Sequence, residues 1–213
     1  MEISREDLLL YAITDRTWLN GRSLSSQVEE VLKNGATFLQ LREKNLSYSE
    51  LVKEAVKLKE IAARYNVPFV INDNIYAARE ADADGVHIGQ GDASYLKARE
   101  VLGSGKIIGM TAHNLNEALA AQEAGADYIG TGAVFPTSTK NNTVPLPLDR
   151  LKEITDNIKI PVVAIGGINQ SNILSLKGSG IDGAAVISAI FAQENPGLAA
   201  AEMLNLCKEA VNG

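Results

Sequence analysis

The sequence predicts a single-domain α/β protein over residues 1–213, folded as a closed (β/α)8 barrel of the TIM-barrel class. Three observations carry this expectation. Short apolar, β-branched runs alternate with longer stretches of helical periodicity, the pattern of parallel strands joined by crossover helices. Eight such runs fit into 213 residues, which suits a minimal closed barrel better than an open doubly wound sheet. The segments NGATFLQL, ADADGVHI, AGADYIGTG and SGIDGAAVI also share one grammar: a helix end, a small residue, then a strand.

In chain order, strands are expected at Leu8–Thr14, Phe38–Arg42, Phe69–Asn72, Gly85–Ile88, Ile107–Thr111, Tyr128–Gly132, Val162–Gly166 and Ala184–Ser188. Of the intervening helices, Tyr48–Tyr65 is the clearest. Leu51, Ala55, Leu58 and Ala62 recur three or four apart, while Lys53, Glu54, Lys57 and Glu60 fall mostly on other faces. Ser47 followed three residues later by Glu50 forms a capping box at its start. One long irregular stretch, Val134–Pro147, interrupts the alternation, and loops of that length in compact domains are often functional.

Composition narrows the function classes. With 46% hydrophobic residues the chain can fill one sizeable core. No apolar run is long enough to span a bilayer, and Glu2, Arg5, Glu6 and Asp7 break up the N-terminal segment, so neither membrane span nor signal peptide is expected and a cytoplasmic location is. The single cysteine, Cys207, lies in a helical pattern and reads as a small apolar residue. A net charge of −6 with interspersed signs argues against a nucleic-acid surface while leaving room for a local basic pocket.

In such barrels the reacting groups lie at the C-terminal ends of the strands. In FLQLR, Phe38, Gln40 and Arg42 share one face and Leu39 and Leu41 the other. The leucines must pack outward on helices, so Gln40 and Arg42 point into the mouth, where a guanidinium needs an anion; an internal pair with Glu43 or an aspartate is the structural alternative. Asn72 and Asp73 end the third strand and Asp92 follows the fourth. Two carboxylates on neighbouring strand ends suit Mg2+, which takes one or two carboxylates plus water and phosphate oxygens, although either residue alone could simply cap a helix. Thr111 ends the fifth strand, and Thr137, Ser138, Thr139 and Lys140 could wrap a phosphate. Gly166 and Gly167 allow close ligand approach, and Ile187 and Ser188 open a short helix with free N–H groups, together forming a phosphate site. His87 is expected as a hydrogen-bonded interior histidine, and His113 as one without an evident carboxylate partner. No nucleophile with an activating base is evident.

YAITD (11–15), QLREK (40–44), IND (71–73), ADGVHIGQGD (83–92), ADYIGTGAVFPTSTK (126–140), VVAIGGI (162–168) and GAAVISAI (183–190) together resemble the thiamine phosphate synthase family, in the same order and over nearly the whole chain. The resemblance implies a transferase of thiamine biosynthesis that joins a hydroxymethylpyrimidine diphosphate to a thiazole ethyl phosphate and releases diphosphate. It implies that Gln40, Leu41, Arg42, Glu43, Lys44, Asn72, Thr111 and Lys140 form the pyrimidine diphosphate site, with Arg42, Lys44 and Lys140 as catalytic cations. Asp73 and Asp92 would hold Mg2+, and Thr137, Ser138 and Thr139, with Gly167, Ile187 and Ser188, would hold the thiazole phosphate. The family usually has Ser where this chain has Thr111. The partners implied are these small molecules, with no nucleic acid and no membrane; assembly into a homo-oligomer is left open. The alternatives are a thiazole tautomerase-like relative, which would need an acid or base such as His113, and a non-catalytic phosphate-binding barrel.

Overall fold

A computed structural model describes residues 3–137 and 145–213. Eight parallel strands close in sequence order: β1 (Leu10–Ile13), β2 (Phe38–Leu41), β3 (Phe69–Asn72), β4 (Gly85–Ile88), β5 (Ile107–Ala112), β6 (Tyr128–Gly132), β7 (Val162–Ile165) and β8 (Gly183–Val186). Closure is made by β8 against β1, in the register Leu10–Ala184, Tyr11–Ala185 and Ala12–Val186. The (β/α)8 barrel expected from the alternating runs is the fold observed.

Around the barrel run α1 (Leu24–Lys33), α2 (Tyr48–Arg64), α3 (Ile75–Glu80), α4 (Tyr95–Leu102), α5 (Leu115–Ala124), α6 (Leu148–Asn157), the single-turn α7 (Ser188–Phe191) and α8 (Pro196–Asn212). A 3-10 turn, Ile173–Leu176, takes the place of a full helix between β7 and β8. Helix α2 begins where its capping box puts it: the Ser47 hydroxyl accepts from the Glu50 amide, and the Glu50 carboxylate accepts from the Ser47 amide. None of the described helices is long and apolar enough to cross a membrane.

Strand ends differ from expectation by one or two residues, for local reasons. Glu6–Leu8 turns as a 3-10 helix, so β1 starts at Leu10 rather than Leu8. Gly166 leaves β7 with φ +102°, and β8 ends at Val186, with Ser188 already in α7.

Alternation along each strand divides the core in two. Tyr11, Phe38, Val70, Ile107, Tyr128, Val163 and Ala185 fill the barrel interior. Leu39, Leu41, Ile71, Val86, Ile108 and Ile129 face the helices and pack on Val28, Leu58, Ile154 and Met203. Each fully buried aliphatic side chain contributes about 1.5–3 kcal/mol from removal of its surface from water.

Candidate active site

A cavity of about 420 Å³ opens at the C-terminal ends of the strands. Its polar wall consists of Gln40, Arg42, Asn72, His87, Thr111 and His113, contributed by β2 to β5 and the segments just beyond them. The opposite wall is Gly132 at the end of β6, with Ala133, Thr137, Gly166, Gly167, Ile187 and Ser188 from beyond β6, β7 and β8. The two glycines are required by the chain path. Both have positive φ, +102° and +64°, and a Cβ on Gly166 would lie 2.4 Å from the Ala133 Cβ, while one on Gly167 would lie 2.3 Å from the Pro136 carbonyl oxygen. The β6 and β7 loops therefore touch backbone to backbone, leaving main-chain groups facing the cavity.

Tyr11 lines the cavity, and beneath it lies an aromatic, hydrogen-bonded layer. Tyr11, Phe38 and Tyr128 meet with ring centroids 4.6 Å (Tyr11–Phe38), 5.9 Å (Tyr11–Tyr128) and 5.6 Å (Phe38–Tyr128) apart. The Gln40 amide donates to the Tyr11 hydroxyl at 2.5 Å, and the Tyr11 and Tyr128 hydroxyls are 2.8 Å apart. His87 Nδ1 lies 3.0 Å from the Tyr128 hydroxyl and Nε2 lies 3.0 Å from Thr111 Oγ1. Burial holds both phenols above the ordinary tyrosine range, so each keeps its proton.

The strand β2 alternation places Gln40 and Arg42 as expected, on the cavity side. Leu41, in contrast, is fully buried in the outer core, so its side chain does not reach the cavity. Arg42 makes no ion pair among the described residues; its amide donates to Thr14 Oγ1 at 3.0 Å. Glu43 is engaged by Arg16 instead, at 2.5 Å, and Arg16 also reaches Glu54 at 3.0 Å. Burial pushes the Glu43 carboxyl up, against the opposing pull of Arg16. Glu43 and Lys44 border a second cavity of about 300 Å³, lined also by Asp15, Arg16, Thr17, Asn45 and Leu46, and Arg42 stands between the two spaces.

Asp73 follows β3 directly with φ +62°, its amide donating to the His87 carbonyl at 2.8 Å and its carboxylate accepting from the Asn72 side chain. The Asp92 carboxylate accepts from the Gly89 amide at 2.7 Å. Both are exposed and lie outside the residues lining the main cavity. Among the described residues no group of three or more His, Cys, Asp or Glu could hold a metal alone. Two carboxylates in the segments after β3 and β4 are oxygen donors of the kind taken by a cation that completes its shell with water and substrate oxygens, as Mg2+ does. Thr137 lines the cavity; Ser138, Thr139 and Lys140 lie outside the described residues.

Two features escaped the sequence reading. Tyr11 and Tyr128 read as strand residues, although their inward parity was available from the alternation. His113 does have a carboxylate partner: Glu117 accepts from its amide at 2.8 Å and meets Nδ1 at 2.9 Å. The signal was the four-residue spacing across the start of α5.

A closed (β/α)8 barrel with polar side chains facing glycine-rich backbone across one C-terminal cavity belongs to the class of barrel enzymes that act on small molecules. Within that class, the family model described as thiamine monophosphate synthase matches residues 10–190, and the chain belongs to this family. It is 50% identical over 187 residues to the thiamine-phosphate synthase of Clostridium novyi (strain NT), covering 87% of this chain and 92% of that one. To the thiamine-phosphate synthase of Methanobrevibacter smithii it is 46% identical over 198 residues, covering 93% and 94%. The solved thiamine phosphate pyrophosphorylase from Pyrococcus furiosus superposes with a TM-score of 0.90 at 38% identity, over 97% of this chain and 98% of that one.

Proposed function

We propose that this chain is a thiamine phosphate synthase, condensing 4-amino-2-methyl-5-(diphosphooxymethyl)pyrimidine with 4-methyl-5-(2-phosphooxyethyl)thiazole to give thiamine phosphate and diphosphate. The observation that carries this reading is the division of one cavity into a polar wall holding Gln40, Arg42, Asn72 and Thr111 and a backbone-rich wall around Gly167 and Ser188. Two phosphorylated substrates would meet across it.

The C–O bond between the pyrimidine methylene and the diphosphate breaks, the diphosphate leaves with the electron pair, and the thiazole nitrogen supplies the pair that forms the new C–N bond. Such a reaction asks for positioning and for cations at the leaving group rather than for a covalent nucleophile. Arg42, Lys44 and Lys140 would meet the diphosphate. Thr137, Ser138 and Thr139, with the main chain at Gly167, Ile187 and Ser188, would hold the thiazole phosphate. Asp73 and Asp92 would hold Mg2+, which supplies positive charge to the departing diphosphate.

Incubation with both substrates and Mg2+, followed by chromatography, should yield thiamine phosphate; no product with either substrate varied would overturn the reading. Asp92→Ala should raise the Mg2+ concentration needed for half-maximal rate. Full turnover of the unaltered enzyme in excess chelator would remove the metal assignment.

A further inference from the structure

Between Gln40 and Thr111 an unbroken chain of hydrogen bonds runs through Tyr11, Tyr128 and His87, with Tyr128 beneath the cavity that the other four line. Its protons can be counted. The Gln40 amide nitrogen faces Tyr11 and donates to it. Tyr11 has one proton, and its next neighbour in the chain is the Tyr128 oxygen at 2.8 Å. With Tyr11 donating to Tyr128, the single proton of Tyr128 is left for His87 Nδ1, 3.0 Å away. In a neutral imidazole a nitrogen that accepts carries no proton, so this order puts the His87 proton on Nε2, 3.0 Å from Thr111 Oγ1. Thr111 accepts there, which leaves its own hydroxyl proton for the cavity it lines.

Packing keeps the chain in this arrangement. A Cβ on Gly109 would lie 2.1 Å from the Tyr128 ring, and one on Gly130 would lie 3.1 Å from His87 Cε1, so the strands carry no side chain where these rings lie. Burial keeps both phenols protonated, so each supplies one donor and no more.

We propose that Tyr128 is a positioning residue: by donating to His87 Nδ1 it fixes the His87 proton on Nε2 and makes Thr111 a hydrogen-bond donor toward an acceptor atom of the pyrimidine diphosphate. The substrate half of this statement rests on the function proposed above. The proton arrangement does not.

The test uses the full chain labelled with 15N in its histidines, of which there are 2, so the spectra are simple. Long-range 1H–15N correlations identify the protonated ring nitrogen. Wild type should show His87 protonated at Nε2. Tyr11→Phe, which removes a neighbouring buried hydroxyl but leaves the Tyr128 donor, should keep that pattern. Tyr128→Phe should lose it, and kcat/KM for the pyrimidine diphosphate should fall about tenfold, as when one neutral hydrogen bond is weakened, with KM for the thiazole phosphate unchanged. A purely structural role would make the two phenylalanine variants alike. His87 protonated at Nδ1 in the wild-type protein overturns the proposal even if Tyr128→Phe fails to fold, and so does a Tyr128→Phe protein with unchanged ring nitrogens and rate. If the wild-type protein makes no thiamine phosphate while the nitrogen patterns are as stated, Tyr128 control of His87 is upheld and the substrate assignment falls.

Discussion

Arg42 stands between the main cavity and the second space beside Lys44, with its guanidinium outside every ion pair among the described residues. The neighbouring acid that could have neutralised it, Glu43, is taken by Arg16. In the function proposed above, a cation so placed would act on an arriving phosphate, and its interaction would grow as negative charge builds on the leaving group. Arg42→Ala should therefore lower kcat by on the order of 10²-fold in steady-state kinetics, the loss typical of one preorganised charge-stabilising group. A rate within about twofold, roughly 0.4 kcal/mol in barrier, would count against that role. The inward direction of Gln40 and Arg42 was legible from two-residue alternation alone, because leucines flank them. The partner of Glu43 was not, since Arg16 lies 27 positions away and meets it only once β1 and β2 are paired. The His113–Glu117 contact is local and was readable, and it puts a hydrogen-bonded acid–base pair at the cavity rim that the proposed reaction does not require.

At the scale of elements, local signals located helices and strands well where they were chemically distinct. Helix α2 starts at its capping box, and Ser47→Ala should lower stability by about 1 kcal/mol in denaturant titration, with unchanged kinetics at saturating substrate. Where a turn decided the boundary, as at Glu6–Leu8 before β1, apolar content alone overran the strand. Tertiary charge contacts were equally silent in the sequence. Asp82, in the turn between α3 and β4, meets Lys59 of α2 at 2.7 Å and Lys106 before β5 at 2.5 Å. Hydrogen bonds from Lys106 and Lys59 lower its pKa from 3.8 to about 2. A carboxyl whose folded pKa is depressed contributes stability above its unfolded pKa and loses it as the pH falls through the folded value. The thermal midpoint of the wild-type protein should therefore exceed that of Asp82→Asn at about pH 5 and converge on it near pH 2. The gap should be small, because the carboxylate is 77% exposed and screened by solvent. A gap that stays constant across the range would exclude this ion cluster as its source.

For the molecule as a whole, α8 packs on β1, β8 and α1, and it carries Cys207 into the outer core at 1% exposure. Burial pushes that thiol up to about 12, so in the folded protein it is neither a thiolate nor accessible. A thiol reagent should modify Cys207 at the rate of global unfolding, and fast modification under native conditions would show that α8 detaches independently. The barrel class was legible at this scale because eight short runs spaced by helical periodicity leave few other topologies. The two-layer core and the hydrogen-bonded layer beneath the cavity were not, because they arise from strands brought together across the barrel: Tyr11 and Tyr128 touch although 117 positions separate them.

The seam between β1 and β8 sets a timetable for the newborn chain. Until residues 183–186 have emerged from the ribosome, β1 and β7 each present an unpaired row of N–H and C=O groups, which is an adhesive template for other chains. The cavity also lacks Ala185, Val186, Ile187 and Ser188 until that moment. Ligand capture thus waits for β8 to be made, and a nascent chain arrested before it carries two sticky margins and an incomplete pocket. Substrate present in the cell can stabilise finished molecules by mass action, but it has no complete pocket to bind on the partial ones.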